Sequence, residues 1–310
     1  SDGRIVCALN APRLGETYPL IACFKADGAL DRTFGSEGVI PGAGVVESLR
    51  VSTAGTILVA GSFESWAGTP AWGVVELSTS GQRLARAFPR LDLPSVTSVL
   101  DLPDGRWLLA GRFTRVNSSP AFRLARLKSD LSWDSSFDAS SNFISYQLVN
   151  TLALDPQGRV LAGGAQFSSE GGITNPIPFG LVRLLENGAA DPAFRRSQEA
   201  VYSIHLEPDG TWITGFPFRR WSPNGELLKA FPFGLNYVNV GTTDHRSARL
   251  PDGRWIHPIR VGALSRDRLP RWRPDGSFDE HFWDRFATNR APIQITAVSA
   301  VPDGSVLVGV

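Results

Sequence analysis

The side chains of this chain best suited to chemistry are carboxylates that recur. An Asp is followed three residues later by a Phe at Asp31 and Phe34, Asp134 and Phe137, Asp191 and Phe194, and Asp279 and Phe282. Carboxylates of this kind perform acid–base work or bind a hard cation. A catalytic group is needed only once, however. An acid that returns beside a Phe in four of six repeats reads instead as an acceptor for backbone N–H groups where an outer strand begins. Of the four histidines, His205, His245, His257 and His281, only His245 adjoins a carboxylate, Asp244. Neighbours on a strand point to opposite faces, which is the wrong arrangement for a proton relay. The sequence contains no nucleophile elbow, phosphate-cradling Gly loop or HExxH helix. It has no Cys/His set at zinc spacing either. No catalytic residue, metal or cofactor is therefore assigned. A hydrolase or lyase built from Glu64, Asp244 and His245 ranks below a binding module, because only the fold can bring those three together.

The elements that position these residues repeat along the whole chain. An apolar strand, a Gly-centred turn and a second strand often ending in Ala-Gly recur around Gly3, Gly55, Gly105, Gly158, Gly210, Gly253 and Gly304, at separations of 52, 50, 53, 52, 43 and 51 residues. That is the period of a four-stranded propeller blade. In the third repeat, Val96 to Leu102 alternates as a strand and Pro103-Asp104-Gly105 supplies the turn. Gly tolerates positive φ there, and Asp bonds its own backbone. Arg106 to Phe113 is the second strand and Phe122 to Leu127 the third; a second turn at Lys128-Ser129-Asp130 leads to a short outer strand. The second turn recurs as Ala26-Asp27-Gly28, Thr79-Ser80-Gly81, Glu186-Asn187-Gly188, Pro223-Asn224-Gly225 and Pro274-Asp275-Gly276.

The expected fold is all-β, a β-propeller of four-stranded antiparallel blades forming a single domain over residues 1–310. Seven blade positions are preferred, with the opening strand absent at the N-terminus and the third and fourth strands absent after Val310. In the six-bladed alternative, residues 295 to 302 complete the N-terminal blade, which leaves Val306 to Val310 without a place. The fifth repeat has a shortened loop between Gly215 and Arg219, and the sixth replaces Ala-Gly with His257-Pro258.

Composition excludes some partners. The 31 basic and 30 acidic residues nearly cancel, so no field draws the chain to nucleic acid or an anionic membrane. No apolar run is long enough to span a bilayer, so membrane insertion is not expected. The chain opens at a hairpin turn, lacks Met and stops just after a hairpin. It reads as a piece of a longer protein, with targeting sequences and other domains outside it. Cys7 and Cys23 fall on neighbouring strands of the first repeat, where a cross-strand disulfide and two free thiols both fit.

Both tight turns of each repeat lie on one face of the ring, so the longer connections gather on the other, the usual place for binding. These loops carry Trp66, Asn117, Tyr146, Asn236, Tyr237, Asn239 and Trp283. Such an amphipathic set stacks on sugar rings or anchors a protein partner. Trp107, Trp212 and Trp255 occupy equivalent second-strand positions, as core residues do.

The string Ala110-Gly111-Arg112-Phe113-Thr114-Arg115-Val116-Asn117, followed by Arg123-Leu124-Ala125-Arg126-Leu127, resembles the delta-60 repeat β-propeller family of bacterial surface and secreted proteins. So does Phe24-Lys25-Ala26-Asp27-Gly28-Ala29-Leu30-Asp31-Arg32-Thr33-Phe34-Gly35. The resemblance covers essentially the whole chain and is weaker in the fifth and sixth repeats. It implies an extracellular or cell-surface propeller, often one domain of several, and brings no catalytic residues. The function expected is a non-catalytic protein-binding or scaffold module, with a carbohydrate-binding or carbohydrate-cleaving propeller as the alternative. The partner, protein or glycan, is expected at the loop face.

Overall fold

Each Gly-centred turn closes a hairpin as its residues require. Gly105 takes φ +83°, its N–H donates to Leu102 O at 2.9 Å, and Asp104 Oδ1 accepts the Arg106 N–H at 3.0 Å. A type I turn followed by a left-handed Gly carries the twist that joins two antiparallel strands. The computed structural model describes residues 3–9, 20–41, 44–143, 147–166, 180–197, 199–215, 218–231, 247–257, 259–261, 266–279, 282, 297–300 and 304–309. Among these the regular elements are strands, with a 3-10 turn at Ser140–Asn142 and helical backbone at Phe282. No helix of the described residues is long and apolar enough to cross a membrane.

The larger sheets follow one another along the chain, each an antiparallel meander. Ile5–Leu9 pairs with Leu20–Phe24 and that with Val39–Pro41; then come Val45–Val51, Ile57–Ser62 and Val74–Leu77. Next are Val96–Asp101, Trp107–Gly111 and Leu124–Leu127, followed by Gln147–Leu154, Val160–Gln166 and Leu181–Leu184. The fifth repeat forms Ser203–Leu206, Trp212–Gly215, Arg219–Trp221 and Leu227–Ala230; the sixth forms Ala248–Arg249, Trp255–Ile256 and Arg271–Trp272. Ala297–Ala300 pairs with Val306–Gly309.

The first strands of neighbouring repeats touch one another, from Ile5–Leu9's sheet through Val45–Val51, Val96–Asp101 and Gln147–Leu154 to Ser203–Leu206. The sheets therefore converge on a common interior edge and pack face to face. This explains the unbroken apolar second strands. In Trp107-Leu108-Leu109-Ala110 alternate side chains point to opposite faces. Leu109 packs with Leu58 and Val74 of the second repeat, and Leu108 with Val149 and Leu152 of the fourth. Each such buried side chain contributes about 1.5–3 kcal/mol.

Four strands per blade were expected, and the fourth is mostly reduced. Among the described residues the fifth repeat has a four-residue outer strand, Leu227–Ala230, and the first a three-residue one, Val39–Pro41, paired outside Leu20–Phe24. Elsewhere a single bridge stands there: Leu127 with Trp133, Leu184 with Ala190, Leu77 with Arg83 and Trp272 with Phe278. The recurrent Asp is the physical reason. Asp134 Oδ1 accepts the N–H and hydroxyl of Ser136, and Phe137 N–H returns to Asp134 O, so the chain turns away after one bridge. Asp31 does the same with Thr33, and Asp191 with the Ala193 N–H.

These aspartates are all buried, and three of them also hold an Arg from the third strand. Arg126 Nε lies 2.7 Å from Asp134, Arg183 Nε 2.8 Å from Asp191, and Arg271 2.6 Å from Asp279, each guanidinium stacked over the Phe of its corner. In the first repeat Cys23 stands at the position of that Arg, and Arg4 on the adjacent strand reaches Asp31 at 3.4 Å. The second repeat inverts the signs, with buried Glu76 on the third strand facing Arg86 at 3.4 Å. A pair is kept while its polarity changes, as structural charges allow and a catalytic acid does not.

The corners imply acid sensitivity. The Asp31 carboxyl lies below the usual carboxylate range, chiefly because the Thr33 hydroxyl and N–H bond its charged form. For Asp134 and Asp191 burial pushes upward, and the bonds from Ser136, Ala193, Arg126 and Arg183 outweigh it, so both also lie low. A group depressed on folding contributes stability above its unfolded pKa, about 3.9 for Asp, and loses it as pH falls through the folded value. We expect a level melting midpoint above about pH 5 and a steady fall below about pH 4, shallower in Asp134→Asn. A midpoint that rises on acidification would sink this account.

The register also decides the cysteines. Cys23 pairs with Val6 and Cys7 with Ala22, so the two sulfurs sit on opposite faces of the sheet. No disulfide joins them, and burial pushes the Cys7 thiol up.

The second turns dock onto the preceding repeat. The N–H groups of Gly35, Asp138 and Arg195, each just after a corner Phe, donate to Ser80, Asn187 and Asn224 carbonyls at 2.8, 2.9 and 2.8 Å. Arg126 and Arg183 add bonds of 2.7 Å to Glu186 O and Pro223 O in the next repeat. At the junction of the second and third repeats the Phe is displaced by one residue, to Phe88. Leu131, at φ +66°, fills the space there that a Gly leaves elsewhere, in one apolar cluster with Phe88.

Candidate functional site

Of the seven loop residues singled out from sequence, Tyr146, Asn236, Tyr237, Asn239 and Trp283 lie outside the described residues. The other two are placed and serve the fold. Ser65–Trp66 pairs with Thr69–Pro70, and Arg115–Val116 with Ser119–Pro120, so the loops of the second and third repeats are equivalent small hairpins. Trp66 stands where Val116 stands and is only 1% exposed, against Phe63 at 5.3 Å. Its ring cannot stack on a ligand. Aligning the two loops on Pro70 and Pro120 reveals this in the sequence.

Asn117 is exposed and takes the left-handed conformation, φ +52°, at the first position of a two-residue hairpin loop, a place that favours Gly, Asn and Asp. Its Oδ1 accepts the Arg90 N–H at 3.1 Å, and its N–H donates to Arg90 O at 2.6 Å. Asp92 anchors the same loop, accepting Thr114 N–H at 2.9 Å and Arg115 N–H at 3.0 Å. Sequence reasoning passed over Trp72, half-buried with the Arg90 guanidinium 5.0 Å from its ring centre.

What the fold does bring together lies at the interior edge. The first strands carry a β-bulge at one register. Val46 faces Gly61 and Ser48 faces Ala60, so the register skips Glu47; Thr97 is skipped in the third repeat and Asn150 in the fourth. The following repeat has Val201-Tyr202-Ser203 at the same place. A bulge re-aims a side chain, and bulges gather next to functional sites. Each first strand starts at the loop face, so Glu47, Thr97, Asn150 and Tyr202 form a half-buried polar arc near that end of the interior.

The arc has a built floor. The Thr97 hydroxyl donates to Val149 O at 2.5 Å, tying the third repeat to the fourth. Three residues deeper, Arg50 Nη2 donates to Leu152 O at 3.1 Å, two repeats away. At the fifth repeat His205 Nε2 lies 3.3 Å from Ser247 Oγ, which lies 2.8 Å from Ser203 Oγ, and the imidazole meets Trp255 edge-on at 4.7 Å. Both serines are buried, so this chain of hydroxyls joins the fifth repeat to the sixth rather than presenting a nucleophile to solvent. Among the described residues, no group of three or more His, Cys, Asp or Glu is placed to hold a metal ion. The arc combines a carboxylate, a hydroxyl, an amide and a phenol, which suits hydrogen-bonded recognition of a polar group.

Comparison with known proteins supports the architecture. A family model described as a domain of unknown function (DUF5122) beta-propeller matches residues 102–137. That stretch runs from the first turn of the third repeat through the Arg126–Asp134 corner to Phe137. Among solved structures, the extracellular domain of a hybrid two-component system from B. thetaiotaomicron is similar over 90% of this chain and 35% of its own, at 10% identity and a TM-score of 0.56. Puromycin hydrolase is similar over 96% of this chain and 47% of its own, at 15% identity and a TM-score of 0.53. The chain thus spans about a third to a half of these proteins, and the likeness is one of fold. No curated protein matches the sequence.

Proposed function

We propose that the chain is a β-propeller of seven blade positions, one domain of an exported, extracellular or cell-surface protein. It acts as a non-catalytic binding module, holding a protein partner at the loop-face end of its interior. One observation carries the binding role. In four consecutive repeats one position, a bulge in the first three, changes chemistry, as Glu47, Thr97, Asn150 and Tyr202, while a Val precedes it and a Ser or Thr follows it each time. Packing demands hold the flanks constant, while the position between them changes type from repeat to repeat. The resemblance to delta-60 repeat proteins supports export, as does the extracellular domain among the structural neighbours. The phenol of Tyr202, in the repeat that follows Asn150, favours a second reading, a glycan ligand, because an aromatic ring near an amide is chemistry that holds sugars.

The test is a pull-down with the purified chain, run beside a glycan array. We expect a captured protein partner whose retention falls at least tenfold, about 1.4 kcal/mol, in the Glu47→Ala, Asn150→Ala double variant at unchanged melting midpoint. An array hit lost in the same variant selects the glycan. Capture indifferent to both substitutions removes the site.

A further inference from the structure

Two neighbouring repeats fill one backbone position differently. Where the loop hairpin returns to the third strand, Gly73 takes φ +79° in the second repeat and Arg123 takes φ +67° in the third. The hydrogen bonds around the two are the same. The Gly73 N–H donates to Phe63 O at 2.9 Å and the Arg123 N–H to Phe113 O at 3.0 Å, while Gly61 and Gly111 donate back to the Gly73 and Arg123 carbonyls at 2.9 Å. Glycine holds this left-handed conformation without the strain that a side chain brings, so Arg123 stands where Gly is the less strained residue. Its charge is disfavoured too. Arg123 is half-buried, with its guanidinium 4.8 Å from the Phe122 ring centre and Nη1 donating to Arg112 O. Burial holds this guanidinium below its ordinary range, the neighbouring Arg112 charge adds to that, and Asp92 offsets only part of it. Asp92 has both oxygens engaged on the hairpin, accepting the Thr114 hydroxyl, the Thr114 N–H and the Arg115 N–H. Backbone outliers of this kind gather at ligand clamps, and disfavoured charges at functional sites.

The surface around Arg123 is basic and partly apolar. Arg112 and Arg115 are exposed, the second with Nη2 donating to Ser118 O at 3.2 Å. Leu93 is 52% exposed and is fixed beside them. On one side of it Asp92 holds Thr114 and Arg115, and on the other Ser95 O accepts the Arg112 N–H at 2.9 Å. The two aromatic rings of this surface, Trp72 and Phe122, pack against the core, and a guanidinium lies over each, Arg90 at 5.0 Å and Arg123 at 4.8 Å. Guanidiniums rather than ring faces therefore meet a ligand here.

We propose that Arg112, Arg115 and Arg123, together with Leu93, form a second binding site on the third repeat, for an acidic peptide segment of a partner protein. The guanidiniums take its carboxylates, and Leu93 takes one of its apolar side chains. An arginine fork meets a carboxylate through two parallel bonds, which fixes orientation as well as charge. A ligand carboxylate also supplies the countercharge that offsets the repulsion between Arg123 and Arg112. The combination of cations with an exposed Leu, and of rings already covered by cations, suits a peptide better than a sugar, which needs an open ring face. The site goes beyond the binding role of the bulge arc, since it shares no residue with Glu47, Thr97, Asn150 and Tyr202.

The test is fluorescence polarisation of a labelled peptide in which Glu and Leu alternate, titrated with the purified chain. We expect saturable binding that weakens as NaCl is raised and is absent for the same peptide with Gln at every Glu. Arg123→Gly is expected to weaken binding about tenfold or more while the melting midpoint stays close to that of the parent, because Gly73 holds the same backbone in the second repeat. Arg112→Gln is expected to weaken binding as well. The Glu47→Ala, Asn150→Ala variant is expected to keep it, which separates this site from the arc. Equal affinity of the parent and Arg123→Gly overturns the proposal. A midpoint about 5 °C or more lower in Arg123→Gly also overturns it, by making the arginine a packing residue. So does displacement of the peptide by oligogalacturonate at a lower concentration than by unlabelled peptide, which would make an acidic glycan the occupant.

Discussion

Replacing Gly188 with Ala is expected to cost about 3–5 kcal/mol, whereas Gly28→Ala, at almost the same φ, costs about 1–2 kcal/mol. Both residues are left-handed, at φ +89° and +84°, and an L side chain pays the same backbone strain at each. They differ in what a methyl group meets. At position 188 the nearest atoms are backbone, Asp138 C at 2.6 Å and Ala139 N at 2.9 Å, which cannot rotate aside. The third repeat must then lift from the fourth, breaking the Asp138 N–H bond to Asn187 O and disturbing the Arg126 bond to Glu186 O. At position 28 no described atom is in reach. Urea unfolding of the two variants measures the clasp as their difference, about 2–3 kcal/mol. Equal losses would show that the turns need Gly for φ alone.

The second large effect is expected at Arg183, 1% exposed, whose partner Asp191 is buried too. Arg183→Ala strands that carboxylate with Arg159 at 3.8 Å as its remaining ion-pair neighbour, and removes the 2.7 Å bond to Pro223 O in the next repeat. Breaking a buried pair from one side costs about 3–5 kcal/mol, because the charge left behind has lost its water and its partner. The double variant Arg183→Met, Asp191→Leu is expected to recover most of that loss, since two apolar groups carry no uncompensated charge. A double variant as unstable as the single one would mean that the pair specifies the corner geometry beyond its charge balance. The inverted pair of Glu76 and Arg86 argues that either polarity serves.

The repeats were legible because their signals are local. Gly105 and its counterparts mark turns that only a left-handed residue closes, and Asp134 acts on a backbone N–H two residues away. Both effects lie within a few residues of chain, so spacing alone exposes them. The Arg partners were missed because Arg126 and Asp134 are eight residues apart and meet only when the second hairpin folds back. The loop aromatics misled for a related reason. Trp66 has the composition of a platform, but the pairing of Ser65–Trp66 with Thr69–Pro70 turns its ring to the core.

By itself, then, the sequence determined an all-β chain of successive hairpins with a period of about 50 residues, and a structural role for the recurrent Asp. Tertiary structure alone decided three things. Strand register set Cys7 and Cys23 on opposite faces, a difference of one residue that spacing does not resolve. Convergence of the first strands brought Glu47, Thr97, Asn150 and Tyr202, each about 50 residues from the next, onto one arc. Packing of each corner on the next repeat's turn buried five of six equivalent turns, while Gly28 is exposed among the described residues. Local rules write the repeat, and contacts between repeats, which no single repeat encodes, decide which of its turns are buried.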